Sequence, residues 1–344
     1  METFDLAALG NWLYSWVQPS GAIHGFHNHS VWGDNPLRWP DYTSGHSTFA
    51  APILPGLAQV LSRRYDERGQ ELLERMMRYQ AHAMRDDGEY LHIGFQAGEL
   101  AKVGLIHNMV PALSLLMAAG IGKQFLHKDV VDAARESALR VLTQGSLHYG
   151  GVVRVEACCN QDYARIWAKL LLQKYFLDDR FEQQVQEDLD YMVDHFHISG
   201  VPDEDCDGTK RALLGKDQLL LEPAEYYGLM IVPLCIGYEL FGREKWLHAA
   251  VRLCNHVVRS SFLDEENCRR VHRAYYAKFD GSWGRLTQPM QIQGNGLTLY
   301  GISCCARLTG NRELEKFLAE MEQEIAHYQT KRGFCGLLPD GTPS

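Results

Sequence analysis

Five segments of the chain are apolar on nearly every side of a helix, and each is followed by one that is apolar on a single side. The first kind runs over Ser47 to Arg64 (STFAAPILPGLAQVLSRR), Leu105 to Ala119, Cys159 to Phe176, Glu222 to Phe241 and Gly294 to Leu308. An apolar surface on all sides predicts a buried helix. The second kind runs over Asp66 to Met84, Asp129 to Leu142, Asp179 to His195, Arg243 to Arg259 and Asn311 to His327. Here acids and bases alternate with apolar residues at helical spacing, as in NRELEKFLAEMEQEIAHY, which predicts helices with one face in water. Gly242 and the Gly310-Asn311 pair are placed to stop the inner helices, and Asp179 and Asn311 to cap the outer ones.

The pattern is therefore inner helix, turn, outer helix, repeated at roughly 60 residues, longer than the short solenoid periods. The residues beyond the two helices fall in long loops after each outer helix, such as RDDGEYLHIGFQAGEL, GSLHYGGVVRVEA and YYAKFDGSWGRLTQPMQIQ. An N-terminal helix over Phe4 to Val17 behaves as an outer helix. The loop His24 to His46 (HGFHNHSVWGDNPLRWPDYTSGH) follows it and fills the same slot before the first buried helix.

This arrangement resembles the six-hairpin glycosidase superfamily, the all-α (α/α)6 toroid in which an inner ring of helices is wrapped by an outer ring. The resemblance covers residues 1–344 as a single domain. Six outer-type helices against five inner-type ones leave the ring one inner helix short: the chain ends before the ring closes, the ring is incomplete, or the first helix is misassigned. The resemblance also implies that the long loops and the N-terminal ends of the inner helices form a substrate cleft.

Those helix starts carry polar residues: His46, then His107 and Asn108, then Asn160, Asp162 and Tyr163, then Glu222, Glu225, Tyr226 and Tyr227, then Gln291, Gln293 and Asn295. A polar residue at one start is an ordinary cap. Five starts in succession, each leading an apolar helix, point to a lined cleft. For glycoside hydrolysis, which needs an acid and a carboxylate on different elements, the candidates are Asp41, Glu99, Glu156, Asp162, Glu222 and Glu225. Asp162 leads them, because it sits in the first turn of an inner helix between Asn160 and Tyr163, where neighbours can tune it. Pro223 favours a helix start, so one of Glu222 and Glu225 is open to a capping role.

Two other chemistries fit the same residues. β-Elimination from a uronate needs a Tyr or His base and a group that neutralises the carboxylate, and His107, Asn160, Tyr163, Tyr226, Arg154 and Arg165 supply that set. A sugar epimerase or isomerase resembling N-acylglucosamine 2-epimerase, also an α/α barrel, would use paired histidines, and the chain has 15. A non-catalytic scaffold on the same fold is the fourth reading. The hydrolase reading leads, acting on an oligosaccharide.

The loop His24 to His46 offers Trp32 and Trp39 as flat faces for sugar C–H surfaces, and His27, His29, Asp41 and His46 as hydrogen-bonding groups. Pro36 and Pro40 stiffen it. His27-x-His29 resembles alternating ligands on an extended segment, with Asp34 or Asp41 as further zinc ligands, but no HExxH or two-histidine helix motif accompanies it, so no metal and no cofactor are expected. His92, Arg154, Trp283 and Gln291 in the other loops, with Tyr226 and Asn295 at helix starts, complete the expected sugar contacts. Arg38, Arg154 and Arg285 hint at an anionic sugar.

Composition narrows the partners. A net charge of -9 with no basic run disfavours nucleic acid and anionic membrane. The N-terminus lacks a basic region and a cleavage site, so a cytoplasmic protein is expected. Nine cysteines, an odd number that includes the adjacent pairs Cys158-Cys159 and Cys304-Cys305, argue for reduced thiols in or near the core.

Overall fold

The computed structural model describes residues 10–11, 13–14, 17–22, 50–90, 105–144, 159–195 and 223–332, apart from 266, 274, 278–279, 281–282 and 286–291. Its helices are α1 (Ile53–Arg63), α2 (Glu67–His82), α3 (Leu105–Gly122), α4 (Lys128–Thr143), α5 (Cys159–Phe176), α6 (Glu182–His195), α7 (Tyr227–Phe241), α8 (Glu244–Arg259), α9 (Ile292–Thr309) and α10 (Arg312–Arg332). A 3-10 turn, Ala224–Tyr226, leads into α7. The odd-numbered helices correspond to the inner segments and the even-numbered ones to the outer segments. α7 shows the difference plainly, with every residue from Tyr227 to Gly237 buried.

Chain contacts divide the protein into two compact units. One holds α1 to α4 and α5 from Ala164 on. Within it α1 packs on α3 and α2 on α4, and Leu54, Leu72, Leu73, Met76, Met109, Leu115, Trp167 and Leu171 are buried. Asp66 caps α2, its carboxylate accepting from the Gly69 N–H at 2.9 Å.

Between α2 and α4 of this unit, Glu74 accepts from the His127 backbone N–H at 2.9 Å and faces the His127 ring at 2.8 Å. Burial alone would raise the Glu74 carboxyl. The hydrogen bonds from Gln70 and from the His127 backbone and ring outweigh it and hold the group below its ordinary value. The hydrogen bond to Glu74, and then its charge, raise the His127 imidazole. Glu74 thus stabilises the fold above its unfolded pKa and loses that effect as pH falls through its folded one. His127 stabilises below its unfolded pKa and loses the effect as pH rises through its folded one. The two overlap in mildly acidic solution, between the ordinary values of a carboxyl and of an imidazole. His127→Ala is therefore expected to lower the melting temperature most in that window and least at alkaline pH. Melts across a pH series check this, and an undiminished difference under alkaline conditions would contradict it.

The other unit holds the first turn of α5, α6 from Gln183, and α7 to α10 with two hairpins. β1 (Ser261–Leu263) pairs antiparallel with β2 (Arg269–Val271), Phe262 opposite Arg270. β3 (Tyr275–Ala277) pairs antiparallel with β4 (Trp283–Arg285), Tyr275 opposite Arg285. The loop reading of 261–285 is corrected here: three-residue strands are too short to show a period of two.

α7 and α9 meet through glycine. A Cβ on Gly228 would lie 2.1 Å from the Leu297 carbonyl oxygen, and one on Gly301 would lie 3.2 Å from the Gly228 Cα. α7 ends at Gly242 with φ 69 and α9 is followed by Gly310 with φ 63, the left-handed caps expected from the sequence. Asn311 caps α10, its Oδ1 accepting from the Glu313 N–H at 2.9 Å. Asp179 differs: its backbone carbonyl, accepting from the Glu182 N–H at 2.8 Å, starts α6. Cys235, Cys254 and Cys305 are free, buried thiols on α7, α8 and α9. Among the described residues no helix is long and apolar enough to cross a membrane.

Candidate functional site

A dense polar constellation in the second unit surrounds the start of α7. Glu225, in the 3-10 turn, is buried and accepts from Arg273 Nε at 2.7 Å. The backbone joins the same two segments, because the Ala224 N–H donates to the Arg273 carbonyl at 2.7 Å. Thr298 of α9, fully buried, donates its hydroxyl to the Ala224 carbonyl at 2.6 Å and accepts from the Gly228 N–H at 3.3 Å. These bonds satisfy backbone groups that a helix start leaves open. They also fix where Glu225 stands.

Beside this turn lies a chain of polar groups. Tyr275 on β3 donates its hydroxyl to Ser260 Oγ at 3.1 Å, and Ser260 Oγ lies 3.4 Å from His256 Nε2. The His256 ring is tilted against both Tyr227 and Tyr275, with centroids 5.6 and 5.5 Å away. His272 stacks on Phe262 at 4.3 Å. Tyr227, His256, Ser260, His272, Arg273 and Tyr275 line a narrow crevice beside the turn. Chemically the group offers a buried imidazole, hydroxyls in series and a guanidinium, the materials for proton transfer and for holding an oxygen-rich ligand.

The described residues account for part of the expected site. Glu225 and Tyr226 share the 3-10 turn, the first buried and the second half-buried. Asp162 and Tyr163 are buried in the first turns of α5, and Arg165 is buried two residues beyond Tyr163. His107 falls in the first turn of α3, Asn160 in that of α5 and Asn295 in that of α9, while Trp283 opens β4. His27, His29, Trp32, Trp39, Asp41, His46, His92, Arg154, Glu222 and Gln291 lie outside the described residues.

Asn108, among the polar starts, has a structural task. It is fully buried and its Oδ1 accepts from the Tyr90 N–H at 2.9 Å. Tyr90 in turn meets Ser137 Oγ at 3.1 Å, and burial pushes its phenol up, against that hydrogen bond.

His256, Ser260, Arg273, Tyr275 and Thr298 are the site residues that the sequence did not single out. His256 and Ser260 end an outer helix and Thr298 lies two turns into an inner one, so neither the long loops nor the polar helix starts pointed to them. The only cue was the run RRVHRAYY, basic and aromatic residues side by side.

No family model matches the chain, and no curated protein matches its sequence. Solved structures do. A cellobiose 2-epimerase from Spirochaeta thermophila superposes with a TM-score of 0.63 at 14% identity, over 98% of this chain and 87% of its own. A sugar epimerase from a ruminal bacterium does so with a TM-score of 0.62 at 9% identity, over 98% of this chain and 89% of its own. An α-1,6-mannanase of Salegentibacter, in an inactive variant bound to α-1,6-mannotriose, gives 0.53 at 11% identity, over 78% of this chain and 68% of its own. The fold is the all-α α/α toroid that these enzymes share.

Proposed function

We propose that this toroid is a carbohydrate-active enzyme, and that its reaction is epimerisation or isomerisation of a sugar by proton transfer. The observation that carries the reaction class is the extent of the likeness. The two epimerases correspond to 98% of this chain and to 87 and 89% of their own, whereas the mannanase corresponds to 78% and 68%. The constellation around α7 is compatible with it. Moving a proton on and off a sugar carbon calls for an acid and base near neutrality, and imidazole meets that need better than a carboxylate pair. Glu225 is engaged by Arg273 and is poorly placed to serve as a protonated general acid.

Hydrolysis of an oligosaccharide is the second reading, and Asp162 favours it: a carboxylate buried in the first turn of an inner helix is the kind of group that acid or base catalysis uses.

Proton NMR in heavy water separates the readings. Incubation with glucose, mannose, cellobiose and a panel of neutral and uronate-containing oligosaccharides is expected to give the anomeric signals of a C2 epimer or ketose, with solvent deuterium entering at the carbon that exchanged. New reducing ends without exchange would replace this reading by hydrolysis. Ultraviolet absorbance of an unsaturated uronate would replace it by elimination.

A further inference from the structure

Arg273 is fastened on one side and open on the other. Its backbone carbonyl and its Nε are both tied to the 3-10 turn, the first by Ala224 and the second by Glu225. Among the described residues Glu225 is the one partner of its guanidinium, and the side chain remains 32% exposed while that of Glu225 is 6% exposed. A guanidinium carries five N–H donors in one plane, of which Nε uses one here. The remaining four have no acceptor among the described residues, and a guanidinium's fork matches a carboxylate or phosphate.

A surface ion pair would leave both partners in water and stabilise little. In this pair the acid is sunk and the base protrudes, so the carboxylate acts as a fixed anchor for the cation. Anchoring removes beforehand much of the rotamer freedom that a loose arginine loses on binding a ligand. Arg285 adds to the picture. It stands opposite Tyr275 in the β3–β4 register, so its side chain leaves the hairpin on the Tyr275 face. It is exposed, and among the described residues no carboxylate pairs with it. In a chain of net charge -9, one hairpin and the residues leading into it thus carry two guanidinium groups with donors to spare.

We propose that Arg273 binds the anionic group, carboxylate or phosphate, of a sugar substrate, with Arg285 adding to the attraction and Glu225 as the positioning residue that aims Arg273. The proposal rests on the reading that the protein takes a sugar and narrows that sugar to an acidic one. It also moves Glu225 from the candidate acids to a supporting role.

Isothermal titration of the full chain with glucuronate, glucose 6-phosphate and glucose tests it. At least one acidic sugar is expected to bind ten-fold or more tightly than glucose, and whichever it is identifies the anion. Arg273→Gln is expected to remove that preference, a loss of roughly 10- to 100-fold in affinity for the acidic sugar, as a charge-assisted contact implies. Arg273→Lys should keep part of it, since charge survives and the fork does not. Glu225→Gln should weaken the acidic sugar more than glucose, whereas a merely structural role would weaken both alike. Arg285→Gln alters an exposed strand residue and should reduce the preference without touching the fold, so it decides the matter should an Arg273 variant fail to fold.

Equal affinities for all three sugars in the unaltered protein, no binding of either acidic sugar, a preference that survives in the folded Arg273→Gln protein, or one that is undiminished in the Arg285→Gln protein, would each overturn the proposal. Binding is read without turnover. Acid-selective binding with no epimerisation would therefore sink the reaction class alone, and epimerisation of neutral sugars with no preference would sink this proposal alone.

Discussion

Asp162→Asn is expected to lower kcat by roughly 10²- to 10⁴-fold on whichever sugar the enzyme turns over, with far-ultraviolet dichroism and melting temperature close to those of the unaltered protein. The substitution keeps the volume and the hydrogen-bonding outline of the side chain and removes only its charge and its capacity to exchange a proton. Asp162 is 7% exposed and sits in the first turn of α5, ahead of the buried run Ala164 to Leu172. For hydrolysis it would be the acid or base. For epimerisation it would carry or orient the proton that the sugar exchanges. A purely structural role gives a different result: a carboxylate near a helix N-terminus contributes about 0.3–1 kcal/mol through the helix dipole. The Asn variant would then lose a little stability and no turnover. Steady-state kinetics beside a melting curve separates the two, and an unchanged kcat would remove Asp162 from the catalytic machinery.

Trp246→Ala should be the most damaging single truncation in the second unit, costing about 3–5 kcal/mol, the range for loss of a large buried aromatic side chain. Trp246 of α8 is fully buried. Its Nε1–H donates to Asp190 of α6 at 2.8 Å, its ring meets Phe241 of α7 edge-on at 6.0 Å, and the Arg243 guanidinium lies 5.2 Å from its centroid. Gly237 leaves room for it, since a Cβ there would fall 3.0 Å from its Cε3. Truncation would open a cavity where three helices meet and strip Asp190 of one donor. Urea unfolding followed by fluorescence measures the loss. Leu177→Ala, at a side chain 88% exposed, serves as the control and is expected to stay within about 0.5 kcal/mol. A Trp246 variant as stable as that control would show that the ring is not what holds α8 in place.

The hairpin order was legible because burial writes itself into the sequence at helical spacing over long segments. The second inner segment, predicted over Leu105 to Ala119, is α3 (Leu105–Gly122), and the third, Cys159 to Phe176, is α5 to the residue. At two helix starts a proline moved the boundary: the first inner helix begins at Ile53, after Pro52, and the fourth begins as a 3-10 turn after Pro223 before continuing from Tyr227. A proline has no N–H to give and suits the entrance of a helix, whereas Pro111 and Pro233 lie inside α3 and α7 without ending them.

The site was less legible. Polar residues at helix starts could be read off, but their separate tasks could not: Asn108 turned out to hold the Tyr90 backbone, and Glu225 to hold Arg273. The second partner in each case stands far along the chain, 18 and 48 residues away, and local pattern carries no information about it. His256 and Thr298 escaped for a related reason. Each interrupts an otherwise ordinary helix with one polar group, and only the folded chain shows what that group meets.

The glycine contact between α7 and α9 constrains how this sequence can change over time. At most buried positions of the two helices, one apolar side chain can be exchanged for another while its neighbours repack. At Gly228 there is no side chain to exchange and the obstructing atom is a backbone carbonyl. Any larger residue there would have to drive the helices apart, drawing Thr298 away from Ala224 and loosening the turn that carries Glu225. Gly228 therefore works as a spacing gauge: a descendant of this protein could replace most of its core piecemeal, but it could alter this one distance only by rebuilding the site along with it.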